Sequence, residues 1–237
     1  MNALRVSVLL AESALELVPK EIQKTPAVRN DAERRGVAPS RMLLDRSFHH
    51  GAMLKLEEDY KRGRPDLVHM TLLAMTSSPL YSDACLKLFV HAWDDVVLEV
   101  KEGTRLPKSY VRFRGLMEKT LAGGNESGLI RLQRATVRET IRRINPDWVC
   151  GLSTQGRATR PEELAETLVA KRNPCVIIGG FPHGHFSSSV LSEMDDLVRI
   201  DPRALDAHVV AARLVYEVEK LVRRDELARW GKTTPPL

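Results

Sequence analysis

The 237-residue chain is 43% hydrophobic and carries 36 basic against 31 acidic side chains, a net charge of +5. That length and apolar content support a sizeable core and exclude a disordered or low-complexity chain. Three scattered cysteines, Cys85, Cys150 and Cys175, argue against a disulfide framework, and no stretch reads as a membrane span or export leader, so a reducing, cytoplasmic setting is expected.

In chain order, Leu4–Leu10 alternates as a first strand, and Glu12–Val18 and Glu21–Arg35 read as helices interrupted at Pro19 and Pro26. Met42–Leu44 reads as a short strand opening into the polar cluster Asp45–His50. Its paired histidines fit hydrogen-bonded core residues better than metal ligands. Asp66 precedes the apolar run Leu67–Met75. It suits a helix N-cap, and it also suits a carboxylate that orders Arg64 or accepts a proton from a bound base. Leu86–Val90 and Val96–Val100 form a strand pair turning at Asp94 and Asp95, an antiparallel addition to a sheet.

Between Lys101 and Arg114 five cations face Glu102 alone, with Tyr110 and Phe113 interleaved. Such a segment suits phosphate contact with base stacking, and equally a solvated surface helix. The helix spans Ser109–Leu121, before Gly123 and Gly124. Leu129–Leu132 is a strand, and Thr136 with Glu139 forms a capping box for a helix reaching Ile144. Asp147–Leu152 reads as a strand ending in the polar loop Ser153–Gly156, followed by the acidic helix Glu162–Lys171. Cys175–Ile178 is apolar throughout, as a strand buried on both faces requires. This β-α-β unit places Ser153–Gly156 and Gly179–Gly184 at the same edge of a parallel sheet. A last strand, Leu197–Ile200, precedes a helix from about Leu205 to Trp230 with Ala207, Ala211, Leu214, Val218 and Leu221 on one stripe. The pattern is that of one α/β domain with a mostly parallel sheet.

The loop after Cys175–Ile178 reads GGFPHG. It fits a main-chain cradle for a ligand, and it fits an ordinary strand-to-loop turn. It matches neither the phosphate-loop nor the dinucleotide fingerprint, so triphosphate and dinucleotide chemistry are not supported. His183 and His185 lack cysteine partners at metal-ligand spacing, and no metal is expected.

Four segments, LLDRSFHHGAM at Leu43–Met53, RGRPDLVH at Arg62–His69, TRLPKSYVRFRGLMEKTL at Thr104–Leu121 and IIGGFPHGHF at Ile177–Phe186, together carry a resemblance. The chain resembles the knotted SPOUT-class methyltransferases that methylate ring nitrogen 1 of a pseudouridine in small-subunit ribosomal RNA and assist subunit assembly. The resemblance implies a C-terminal trefoil knot, with the knot and cofactor loops in residues 147–237 and RNA-binding elaborations in 45–125. It further implies a homodimer and S-adenosylmethionine held by three loops. The implied cofactor contacts are Leu152, Ser153 and Thr154, then Gly179, Gly180 and Gly184, then Ile200, Asp201, Pro202, Arg203, Ala204 and Leu205. The implied RNA contacts are Arg64, Asp66, Arg105, Lys108 and Arg112, with Asp66 orienting the base and assisting its deprotonation. Lys108 stands where the family often has arginine, keeping the charge but losing the bidentate fork. Two other readings stay open: a non-catalytic RNA-binding assembly factor, and a knotted methyltransferase acting on ribose or another base.

Overall fold

A computed structural model describes residues 5–124 and 128–224 of the chain. The expected strand residue Leu4 and the end of the last helix, to Trp230, lie outside the described residues. The β-branched and leucine-rich runs assemble into one seven-stranded sheet. Its strands are β1 (Val6–Ser13), β2 (Leu86–Ala92), β3 (Val96–Val100), β4 (Ile130–Arg134), β5 (Trp148–Ala158), β6 (Pro174–Gly179) and β7 (Asp196–Arg199), in the order β4-β3-β2-β1-β6-β5-β7. Strands β2, β1, β6, β5 and β7 run parallel, and β3 and β4 add antiparallel at one edge. Alternation sorts the side chains: Val6, Val8 and Leu10 enter one core, Leu9 and Ala11 the other. The central run Cys175–Ile178 is buried on both faces.

The helices are α1 (Pro26–Arg35), α2 (Arg46–Met53), α3 (Pro65–Thr76), α4 (Pro79–Ser82), α5 (Tyr110–Leu121), α6 (Val137–Ile144), α7 (Pro161–Ala170), α8 (Ser188–Leu191) and α9 (Ala207–Val222). One sheet face carries α3, α5, α7 and α9, whose Val68, Phe113, Leu168 and Leu214 share a core with Val8. The opposite face carries α6 and α8 through Val137, Ile141 and Val190, while α1 and α2 enclose a separate cluster around Val28 and Met53. The expected stripe on α9 is buried from Ala207 to Val218, with Leu221 packed against it.

Several local readings change in three dimensions. Glu12–Val18 is no helix: β1 continues to Ser13, Glu12 takes φ +50°, and the following residues form an extended strap. The strap finds its hydrogen bonds in distant chain, with the Val18 amide donating to the Met42 carbonyl (2.8 Å) and the Leu44 amide to that of Glu16 (2.9 Å). Met42–Leu44 is therefore the strap's partner, joined by one bridge at Leu17 and Leu43, rather than a sheet strand. The helix expected from Glu21 starts only at Pro26, where the missing amide donor is harmless. Asp45 caps α2 by accepting the Ser47 amide (2.9 Å). Asp66 is not an N-cap: Arg64 holds that position, Pro65 opens α3, and Asp66 lies in the first turn. Strand β5 continues past Leu152 through Ser153–Gly156, because Leu152 and Arg157 both pair with Val198 of β7. Gly156 makes this crossing possible, since a Cβ there would lie 2.5 Å from the Val198 main chain.

Candidate active site

Strands β5, β6 and β7 all run toward one edge, and the loops leaving them enclose a cleft of about 340 Å³. Carboxyl ends of parallel strands are where open α/β sheets place ligands, and the volume lies in the roughly 300–1,000 Å³ range of small-molecule sites. Leu152, Ser153 and Thr154 line it from β5. Gly179 lines it from the end of β6, Phe181 and Gly184 from the loop that follows, and Ile200, Asp201, Arg203, Ala204 and Leu205 from the loop after β7. Gly184 takes φ +96°, which favours glycine. Apolar surface comes from Ile178, Val198 and Val210. Asp201 accepts from the Arg203 guanidinium (3.1 Å) and that of Arg213 (2.8 Å), and these bonds hold its carboxyl well below the usual range.

The glycine loop is fastened from below. The Ser187 amide donates to Glu12 (3.0 Å), and the buried Lys61 ammonium bridges Glu12 and Glu58 (both 3.2 Å) while standing 5.3 Å from the Phe181 ring centroid. Burial pushes the Lys61 ammonium down, but Glu12 and Glu58 outweigh it and its pKa is raised. Phe181 meets Phe186 edge-on at 5.5 Å. Glu12, Lys61 and the two phenylalanines were not singled out in the sequence. The phenylalanines stand inside the IIGGFPHGHF segment, but nothing local links Glu12 to Lys61.

Leu67 lines the cleft from α3, so Arg64 and Asp66 stand at its margin. The Arg64 Nε and Nη2 donate to the two Asp66 oxygens at 2.8 and 2.9 Å. Burial pushes the Asp66 carboxyl up, yet the Arg64 hydrogen bonds and charge outweigh it and its pKa is lowered. It is thus an ionised acceptor at neutral pH. The Arg64 pKa is raised chiefly by Asp66, then by the nearby carboxylates of Asp206, which lines the cleft, and Asp45.

The basic segment docks beside this pair through His69, whose Nε2 donates to the Pro107 carbonyl (2.7 Å) and whose ring stacks on Phe113 at 4.2 Å. Burial lowers the His69 pKa, against the Pro107 carbonyl and Asp66. Arg105, Lys108 and Arg112 are exposed and make no ion pair among the described residues. The aromatics are not available for stacking as the sequence suggested: Phe113 is fully buried, and Tyr110 donates its hydroxyl to Asp45 (2.5 Å). The paired histidines are structural at His49, which is buried beside Asp31 and accepts the Asp45 amide (3.1 Å), whereas His50 is exposed.

Two expected cofactor contacts lie outside the cleft lining. Gly180 packs on Ser13, where a Cβ would meet the Ser13 Cα at 2.7 Å, and its carbonyl accepts the Ala14 amide (2.8 Å). Pro202 faces a neighbouring hollow shared with Thr159 and Arg160. Among the described residues, no group of three His, Cys, Asp or Glu side chains could hold a metal ion, and no helix is long and apolar enough to cross a membrane.

A mostly parallel sheet, a glycine-bearing cleft at its carboxyl edge and a cationic face beside a carboxylate define an α/β enzyme acting on a polyanionic substrate with a small-molecule cofactor. The family model for EMG1/NEP1 methyltransferase matches residues 8–219, and the chain belongs to that family. It is 38% identical to the "Ribosomal RNA small subunit methyltransferase Nep1" of Staphylothermus marinus over 91% of this chain and 96% of that one. It is 41% identical to the protein of the same description from Thermococcus kodakarensis, over 89% and 96%. The fold is similar to the crystal structure of Archaeoglobus fulgidus Nep1 bound to S-adenosylhomocysteine, with a TM-score of 0.78 at 35% identity, covering 94% of this chain and 99% of that one.

Proposed function

We propose that this methyltransferase transfers a methyl group from S-adenosylmethionine to ring nitrogen 1 of a pseudouridine in small-subunit ribosomal RNA during subunit biogenesis. The observation that carries this reading is the junction at Leu67: the cofactor cleft and the Arg64–Asp66 pair meet within one helical turn of α3. Residues Leu152–Thr154, Gly179, Gly184, Ile200, Asp201 and Arg203–Leu205 would hold the cofactor, and a relative of the same fold binds S-adenosylhomocysteine. Bound there, S-adenosylmethionine supplies an electrophilic methyl on a sulfonium.

The protein's own task is alignment. Pseudouridine is joined to ribose through carbon, so its nitrogen 1 keeps a proton at an accessible base edge. An ionised Asp66, steadied by Arg64, accepts that N–H, orients the ring and assists loss of its proton to solvent as the nitrogen attacks. Holding the reacting atoms in line supplies effective molarities of roughly 10⁵ M or more. Arg105, Lys108 and Arg112 hold phosphates of a splayed loop, with the target base turned out of its stack. One domain, a C-terminal trefoil knot that includes the β5 return over β7, a homodimer and a cytoplasmic setting complete the reading. The test is methyl transfer to matched stem-loops bearing pseudouridine or uridine: transfer to the first alone supports nitrogen 1, and equal transfer to both removes it.

A further inference from the structure

A second cationic surface lies away from this groove. The segment Arg131–Arg143 carries five arginines against Glu139 alone, the same net charge as Lys101–Arg114. Its helix α6 buries Val137 and Ile141 on the sheet face opposite to the one that receives Phe113 of α5. Ordinary roles account for part of this charge. Arg131 lies 3.6 Å from Glu99 on an edge strand, and Arg138 pairs with Glu193 at 2.6 Å. Arg142 and Arg143 are exposed and make no ion pair among the described residues.

Cations in a last helical turn favour the helix dipole. Lys171 also has an ordinary role, standing 5.7 Å from the Trp148 ring centroid and near Asp147, but neither effect explains why Arg172 arrives from another element. Asn173 donates its side-chain amide to the carbonyls of Ile144 and Asn145 (both 2.9 Å), which brings Lys171 and Arg172 against the end of α6. The Asp147 carboxylate beside them accepts the main-chain amides of Arg172 (2.8 Å) and Asn173 (3.0 Å), and the Arg172 guanidinium makes no ion pair among the described residues. Gathered like charges repel, and a polyanion relieves the repulsion. Arginine forks match phosphate in particular.

We propose that Arg142, Arg143 and Arg172, with Lys171 beside them, form a second phosphate-binding surface that grips ribosomal RNA flanking the modified loop. This rests on the reading of the chain as an RNA methyltransferase. The surface lies at the amino ends of β5 and β6, where Trp148 pairs with Pro174, and the cofactor cleft lies at their carboxyl ends. Along the strand direction alone, the five rises of the six-residue β6 set the two apart by roughly 17 Å at ~3.3 Å per residue. A short stem-loop would occupy the groove alone, and an RNA with flanking helices would reach both.

The test compares the full chain with the triple variant Arg142→Glu, Arg143→Glu, Arg172→Glu, and with the milder triple glutamine variant, on a minimal pseudouridine stem-loop and on a transcript extended by its flanking helices. Both variants should methylate the stem-loop at the wild-type rate. The glutamate variant should bind the extended RNA at least 10-fold more weakly, with the glutamine variant between. The slope of log affinity against log salt on the extended RNA should shrink by about 2, at ~0.7–0.9 per lost phosphate contact. Unchanged affinity and slope on the extended RNA would overturn the proposal, as would equal weakening on both RNAs. So would unchanged RNA binding coupled to the loss of an acidic protein partner. Failure of the wild type to methylate either RNA would instead count against the proposed function, and the binding comparison would still decide the surface.

Discussion

Asp66 shows how one side chain's neighbours set its task. A carboxylate clasped at both oxygens by Arg64 is a poor store for a proton and a good acceptor of an N–H. Asp66→Asn keeps the shape and removes the charge, so single-turnover methylation should fall by about 10²-fold, the lower end for a positioned acid–base group, with RNA affinity retained. An unchanged rate would remove the role. His69 carries a separate prediction, for stability. Burial lowers its pKa and also that of His49, so both stay neutral in the fold while the unfolded chain takes up protons near pH 6.5. Stability is therefore unaffected by these groups at higher pH and falls as pH drops through about 6.5, until the folded side chains also protonate. His69→Gln, which can still donate to the Pro107 carbonyl, should give a shallower decline in Tm between pH 7 and 5 than the wild type.

At the level of elements, the cofactor loop and the substrate segment are joined through the end of β1. Glu12 holds Ser187 on one side and Lys61 on the other. Removing one member of such a buried set leaves its partner charged and uncompensated. Lys61→Met should weaken S-adenosylhomocysteine binding at least 10-fold by calorimetry, about 1.4 kcal/mol, while affinity for RNA stays the same. Equal affinity for the cofactor product would show that the loop stands without this fastening. The β5 return depends on another close approach. Gly156→Ala pushes a methyl into the Val198 main chain, which cannot rotate away, and denaturant melts should show a loss of about 1–3 kcal/mol or more.

The whole molecule presents its chemistry at one edge of the sheet and its positive charge beside it. Because Arg105, Lys108 and Arg112 are exposed and unpaired by carboxylates among the described residues, their contribution to RNA binding should be electrostatic and sensitive to salt. Replacing each by glutamine should lower the slope of log affinity against log salt by ~0.7 per residue on a single-stranded loop, roughly uniformly across loop sequences. A change confined to one sequence would mean base readout instead.

Much of this was legible before the fold. The buried strand Cys175–Ile178, the capping box at Thr136, the antiparallel pair around Asp94 and Asp95, and the shared edge for the β5 and β6 loops follow from period, composition and connection, which are local properties. The four motifs also sufficed to recognise the family: three mark segments that the cleft or the cationic face uses, and Leu43–Met53 supplies the Asp45 that accepts the Tyr110 hydroxyl. What the tertiary structure alone decided are pairings between distant residues. Glu12–Val18 has helical composition, yet its main chain bonds to distant residues, Glu16 and Val18 to 42–44 and Ala14 to Gly180 and Arg64, and the Ser153–Gly156 segment becomes strand because β7 lies beside it. Phe113 and Tyr110 read as stacking platforms until the core claims one and Asp45 the other. A hydrogen bond or a buried contact across many residues leaves no periodic trace in the chain, so only the folded arrangement selects it.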